Sequence, residues 1–118
     1  MSLIYGTGVD IIEIARIKRA IERWGEEFLH HVFTDEEIAY AQNRPSPGQH
    51  FAARLAAKEA VLKAMGDNRH VHWKDLQISH DGHGRPVCIY KKRSFKQKIH
   101  ISISHSEHYA VASAIITS

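Results

Sequence analysis

One stretch constrains this chain more than any other: Phe51 to Gly66, FAARLAAKEAVLKAMG. Six alanines, two leucines, no proline and a glycine only at the end predict one well-formed helix, closed where a left-handed residue is easiest. At 3.6 residues per turn, Phe51, Leu55 and Leu62 share one face, and Ala53, Ala57, Ala60 and Ala64 share the opposite one. A bulky face and a smooth face together describe a helix packed on both sides. Yet Lys58 falls inside the bulky arc, Glu59 sits at its edge, and Lys63 lies one turn beyond Glu59. Arg54 and Lys58 are also one turn apart. Charges on a core helix need partners. The ordinary reading is a Glu59–Lys63 helix pair in the favourable orientation.

A second acidic residue shifts that balance. The segment SLIYGTGVDIIEI has the β-branched and aromatic content of a strand, with Gly6 and Gly8 inside it. Glycine in a strand often marks a close backbone approach. Asp10 then stands among Val9, Ile11 and Ile12, in a run that should be buried. It either caps the helix that follows or binds a hard cation from a rigid strand. Asp10 and Glu59, with Arg54, Lys58 and Lys63 near them, suit Mg²⁺ bridging to a diphosphate, because Mg²⁺ takes one or two carboxylates and fills its octahedron with phosphate oxygens and water. Mn²⁺ suits the same oxygen donors.

Three segments now carry a resemblance: G-V-D-I from Gly8, F-A-x-R-x-A-x-K-E-A-x-x-K-A-x-G from Phe51, and H-I-S-I-S-H from His100. In this order and spacing, nearly end to end, the chain resembles the holo-acyl-carrier-protein synthases, the short class of 4′-phosphopantetheinyl transferases. The resemblance implies transfer of 4′-phosphopantetheine from coenzyme A to a serine of apo acyl carrier protein, in fatty acid biosynthesis. It implies a homotrimer with active sites between subunits. It also implies metal ligands Asp10 and Glu59, catalytic roles for Glu59 and Lys63, and coenzyme A contacts from Arg54, Lys58, Lys63 and His105.

The remaining chain fits around this frame. At 118 residues, 43% apolar and 25% charged, residues 1–118 are expected to form a single domain. No run reaches transmembrane length and no signal pattern opens the chain, so a cytoplasmic protein without membrane or nucleic-acid partners is expected. The lone Cys88 fits a reducing compartment and a buried bystander. Ile14 to Trp24 reads as a helix with Ile17, Ala20 or Ile21, and Trp24 inward and Arg16, Arg19 and Arg23 outward. Those arginines are either a solvated face or a cationic ridge for an acidic partner; by resemblance this helix docks the carrier protein. Glu26 to Phe33 predicts a short helix, and Thr34 with Glu37 a capping box opening another, to about Asn43. Asp35, in its first turn, reads first as an acidic residue favourable to the helix dipole; by resemblance it lies near the active site, behind Glu59 as candidate general base. Arg44 to His50, RPSPGQH, reads as a loop.

Beyond Gly66, relatives carry a Gly-Thr-Gly-like loop where this chain has Asp67-Asn68-Arg69. His70 with His72, His30 with His31, and His80 with His83 read as incidental surface pairs, there being no third metal ligand in register. Leu76–His80 and Val87–Tyr90 predict a hairpin. Its loop ends in Gly84-Arg85-Pro86, which needs only to be a turn but by resemblance lines the nucleotide end of coenzyme A. Lys91 to Lys98 has room for little more than two helical turns. Alternation of Ile99, Ile101 and Ile103 with His100, Ser102 and Ser104 predicts a last hairpin, completed by YAVASAIIT. The expected fold is α+β, an antiparallel sheet of the N-terminal strand and the later hairpins wrapped on the long central helix. The net charge of +3 leaves two alternatives: a basic, histidine-rich binding module without enzymatic activity, and an inactive paralogue.

Overall fold

Two glycines set the architecture. In the computed structural model, which describes residues 3–66, 70–92 and 94–118, the first strand β1 (Ile4–Glu13) turns Gly6 and Gly8 onto the long helix. A Cβ on Gly6 would lie 1.9 Å from the Ala64 carbonyl oxygen, and one on Gly8 2.1 Å from that of Ala60. Only glycine allows strand and helix backbones so close.

Three helices follow β1: α1 (Ile14–Trp24), α2 (Glu26–Val32) and α3 (Asp35–Gln42). The capping box that opens α3 is present: Thr34 Oγ1 accepts from Glu37 N at 3.3 Å, and Glu37 Oε1 accepts from Thr34 N at 2.8 Å. The central helix α4 runs Pro47–Met65, a full turn longer at its start than expected. Pro47 occupies its first turn, where a missing N–H costs nothing and φ is already helical. Gln49 and His50, expected in a loop, are therefore helical. Gly66 closes α4 at φ 76°.

Among the described residues the strands form two antiparallel sheets rather than one. β1, β5 (Tyr109–Thr117) and β4 (Lys98–His105) pair in the order β1-β5-β4, while β2 (Leu76–His80) pairs only with β3 (Pro86–Tyr90). A cleft of about 340 Å³, lined by Arg85, Pro86, Val87 and residues 99–103, lies between β3 and β4. Among the described residues, those at 91–98 form no helix.

The alternation read in the last hairpin holds. Ala112, Ala114 and Ile116 of β5 are buried beside Ala56, Ala57, Ala60 and Ala64 of α4, with Ile99, Ile101 and Ile103 half-buried around them. A second cluster joins Ile14, Ile17, Leu29, Phe33, Ile38 and Phe51 at the other end of the helix. Among the described residues, no helix is long and apolar enough to cross a membrane. The loop from Asp67 to Arg69 lies outside the described residues.

Candidate active site

Because β1 rests on α4 through its glycines, the next inward residue of the strand also meets the helix. That residue is Asp10. Lys63 Nζ donates to Asp10 Oδ1 at 3.1 Å and to the Val9 carbonyl at 3.0 Å. Lys63 is thus bonded to the strand aspartate, not the helical glutamate expected for it. Glu59, one turn earlier on α4, accepts from the Trp73 indole Nε1 at 2.8 Å. Asp10 is mostly buried, its side chain 18% exposed, whereas Lys63 is 54% exposed and reaches solvent.

The donor set matches a hard cation. Among the described residues no group of three or more histidine, cysteine, aspartate or glutamate side chains is placed to hold a metal. Asp10 and Glu59 are carboxylates, the oxygen donors that a hard cation such as Mg²⁺ takes one or two of beside phosphate and water.

A cationic cluster occupies the start of α4. Tyr40 of α3 lies under two guanidinium groups, the Arg44 Cζ 3.4 Å and the Arg54 Cζ 4.2 Å from its ring centre. The rings of His80 and His50 pack on it at 5.3 and 5.8 Å. Arg54 is only 4% exposed, and its Nε is buried without a hydrogen-bond partner among the described residues. Burial lowers its pKa, opposed by Tyr40 and Glu37. Burial and then the charges of Arg54 and Arg44 hold His50 and His80 below the ordinary histidine value. His105, the last residue of β4, adds to that effect on His50, and its ring nitrogens meet the Gln49 side-chain amide. So much positive charge around one unpaired buried donor suits an anion.

Gly84 and Arg85 stand in the turn after His80, and Pro86 opens β3 opposite it. Gly84 has φ 80°, and Asp81 Oδ1 accepts from His83 N at 2.8 Å and Arg85 N at 3.0 Å. Those donors hold the Asp81 carboxyl below its usual range. The Arg85 side chain projects into solvent, 3.6 Å from Asp81.

Lys58 sits deeper than expected. It was expected among the coenzyme A contacts, but it is fully buried, with Nζ 2.6 Å from Glu37 Oε1 and 2.9 Å from the Val32 carbonyl. Burial pushes its pKa down and the Glu37 carboxylate pulls it back. Arg16, Arg19 and Arg23 are all exposed on α1, away from the core. Arg19 lies 3.7 Å from Glu13, and Arg23 lies over the Trp24 ring. Asp35 has an 89% exposed side chain beside His30 at 3.5 Å. Cys88 is a free thiol whose pKa burial pushes up to about 12. Sequence reasoning missed Tyr40, Gln49, His50 and Trp73, and it set His80 aside. Only the helical period, extended back to Pro47, would have brought out Gln49 and His50.

A model of the 4′-phosphopantetheinyl transferase superfamily matches residues 6–114. The holo-[acyl-carrier-protein] synthase of Thermodesulfovibrio yellowstonii is 44% identical, over 98% of this chain and all of that protein. The chain belongs to this family. The Koribacter versatilis synthase is 39% identical over 97% of this chain and 98% of its own length. Among solved structures, the synthase of Bacillus anthracis in complex with CoA (3′,5′-ADP) aligns with a TM-score of 0.86 and 34% identity, covering 98% of this chain and 97% of that one. The Helicobacter pylori synthase in complex with coenzyme A aligns at 0.84 and 27% identity, over 93% and 98%. As a phosphopantetheinyl transferase, the chain is an enzyme, and its family's structures with bound coenzyme A match its fold from end to end.

Proposed function

We propose that residues 1–118 act as one catalytic domain. It moves the 4′-phosphopantetheine group of coenzyme A onto a serine of apo acyl carrier protein, releasing 3′,5′-ADP, in the cytoplasm and for fatty acid biosynthesis. The observation that carries this reading is the corner where β1 and α4 touch. There Asp10 meets Lys63 where the glycine contact holds strand and helix together, with Glu59 one turn earlier on the same helix.

Lys63, oriented by Asp10 and the Val9 carbonyl, places a cation where a diphosphate would bind. Arg54, Arg44 and His105 form the separate basic cluster at the start of α4, which suits the phosphates of coenzyme A. Glu59 takes the proton of the attacking serine hydroxyl. The bond from that oxygen to the phosphorus next to pantetheine forms as the bond to the bridging diphosphate oxygen breaks, and the electron pair leaves on 3′,5′-ADP. Asp10 and Glu59 would hold Mg²⁺ or Mn²⁺, which when bound supplies Lewis-acid neutralisation of the diphosphate. The protein's own share is positioning and fixed charge. The exposed arginines of α1 suit the acidic carrier protein, with Arg16, Arg19 and Arg23 steering the encounter.

The outer face of the three-stranded sheet supports the proposed homotrimer. Val9 and Ile11 of β1 and Tyr109 and Ile115 of β5 stand exposed there. The test of function is a mass measurement. Apo carrier protein incubated with the enzyme, coenzyme A and Mg²⁺ should gain one phosphopantetheine group. Asp10→Ala and Glu59→Ala should each slow this by several kcal/mol of barrier, roughly a hundredfold or more. Near-normal transfer by either variant at limiting Mg²⁺ would refute the assignment.

A further inference from the structure

Glu59 has one hydrogen-bond donor among the described side chains, and it comes from outside its own helix. Trp73 Nε1 reaches Glu59 Oε1 at 2.8 Å. The donor is well fixed. Trp73 begins a one-turn 3₁₀ segment, Trp73–Asp75, in which His72 N donates to Asp75 Oδ2 at 2.9 Å and Asp75 N to the His72 carbonyl at 3.0 Å. Lys91 N ties the same turn to the end of β3 through the Asp75 carbonyl at 3.0 Å. The indole packs against the buried cluster under α1 and α2 and meets the His31 ring edge-on at 5.8 Å.

An indole N–H only donates, so it takes up one carboxylate oxygen and cannot itself compete for a cation. We propose that Trp73 is a positioning residue: its N–H pins Glu59 by Oε1 in one rotamer and leaves Oε2 for the divalent ion. This deepens, and rests on, the reading of Asp10 and Glu59 as a metal pair. Packing alone would not need the nitrogen, since a phenyl ring fills most of the same space. Groups that hold a metal ligand in this way tune affinity without touching the metal.

Trp73→Phe keeps a ring and removes the donor. With coenzyme A present, the Mn²⁺ concentration giving half-maximal transfer should rise about tenfold. Mn²⁺ binding followed by the EPR signal of the free ion should weaken by the same factor. The wild-type protein offers a second readout, because it has only two tryptophans. Mg²⁺ titration with coenzyme A bound should shift the Trp73 indole N–H resonance, leave that of exposed Trp24 in place, and have no effect on either in Glu59→Gln. If the wild type depends on metal but Trp73→Phe keeps its Mn²⁺ affinity, the role of Trp73 is overturned and the metal pair stands. A wild type that binds no divalent ion and works at full rate in EDTA overturns the metal pair and this role with it. Should Trp73→Phe fail to fold, the resonance titration decides: an unmoved Trp73 signal in a metal-dependent enzyme ends the proposal.

Discussion

Glu37 is surrounded by donors. Its Oε1 accepts from Thr34 N and from Lys58 Nζ, and its Oε2 accepts from Ile78 N at 2.8 Å, tying α3, α4 and β2 at one carboxylate. Both charged groups are shut away from water, so neither tolerates the loss of the other. Lys58→Met should therefore cost about 3–5 kcal/mol of unfolding free energy, since it strands a buried carboxylate. Adding Glu37→Gln to that variant should recover part of the loss, a non-additivity that urea unfolding of the two singles and the double would read. A Lys58→Met protein as stable as the parent would show the pair to be idle. Only half of this arrangement was legible in the sequence. The capping box of Thr34 and Glu37 spans three residues and obeys local geometry. The ion pair spans 21, and its partner looked like a ligand contact because burial is a property of the folded core. Trp73 escaped notice for the same reason: nothing near it in the chain announces an acceptor.

At the level of elements, the pairing of β1 with α4 decides whether there is a site at all. The glycine signal in the strand was readable as a close approach, and so was the helix, because both are local patterns. The division into two sheets was not readable, since strand pairing is settled by what fits between β3 and β4, and each strand looks alike from its own sequence. The start of α4 was misplaced because a proline next to a glycine reads as a loop, although proline is at home in a helix's first turn. The close approach makes a sharp prediction. Gly8→Ala would put a methyl group 2.1 Å from the Ala60 carbonyl oxygen, which is backbone and cannot swing aside. Strand and helix must separate, at an overpacking cost of about 1–3 kcal/mol. The same movement draws Asp10 from Lys63, and about an ångström of misplacement near reacting groups is worth roughly a hundredfold in rate. Activity should thus fall far more than folding does, seen as a lowered kcat in a variant whose circular dichroism and melting remain cooperative. Undiminished kcat would mean that the corner does not control the chemistry.

For the whole molecule, the sheet β1-β5-β4 has one face on α4 and no described element on the other. A sheet half-covered in this way ordinarily alternates apolar inward and polar outward. This one does so only at its β4 edge, where His100, Ser102 and Ser104 face out. Along β1 and β5 the outward register rows pair Val9 with Ser113, Ile11 with Val111 and Thr7 with Ile115. Ile11 is 63% and Val9 59% exposed, in a row that would be costly to leave in water. Asp10 lies between them, its side chain turned to the other face. A neighbouring subunit packed on this row would therefore sit within one strand's thickness of the proposed metal pair, which links assembly to catalysis in the homotrimer proposed above. Ile11→Lys tests the link, because it charges the centre of the row without touching the helix-facing residues. Light scattering should report a monomer, the far-ultraviolet circular dichroism should match the parent, and transfer should drop with the loss of assembly and recover partly as protein concentration rises. A fully active monomer would separate the two, leaving the apolar row to serve some purpose other than completing the site.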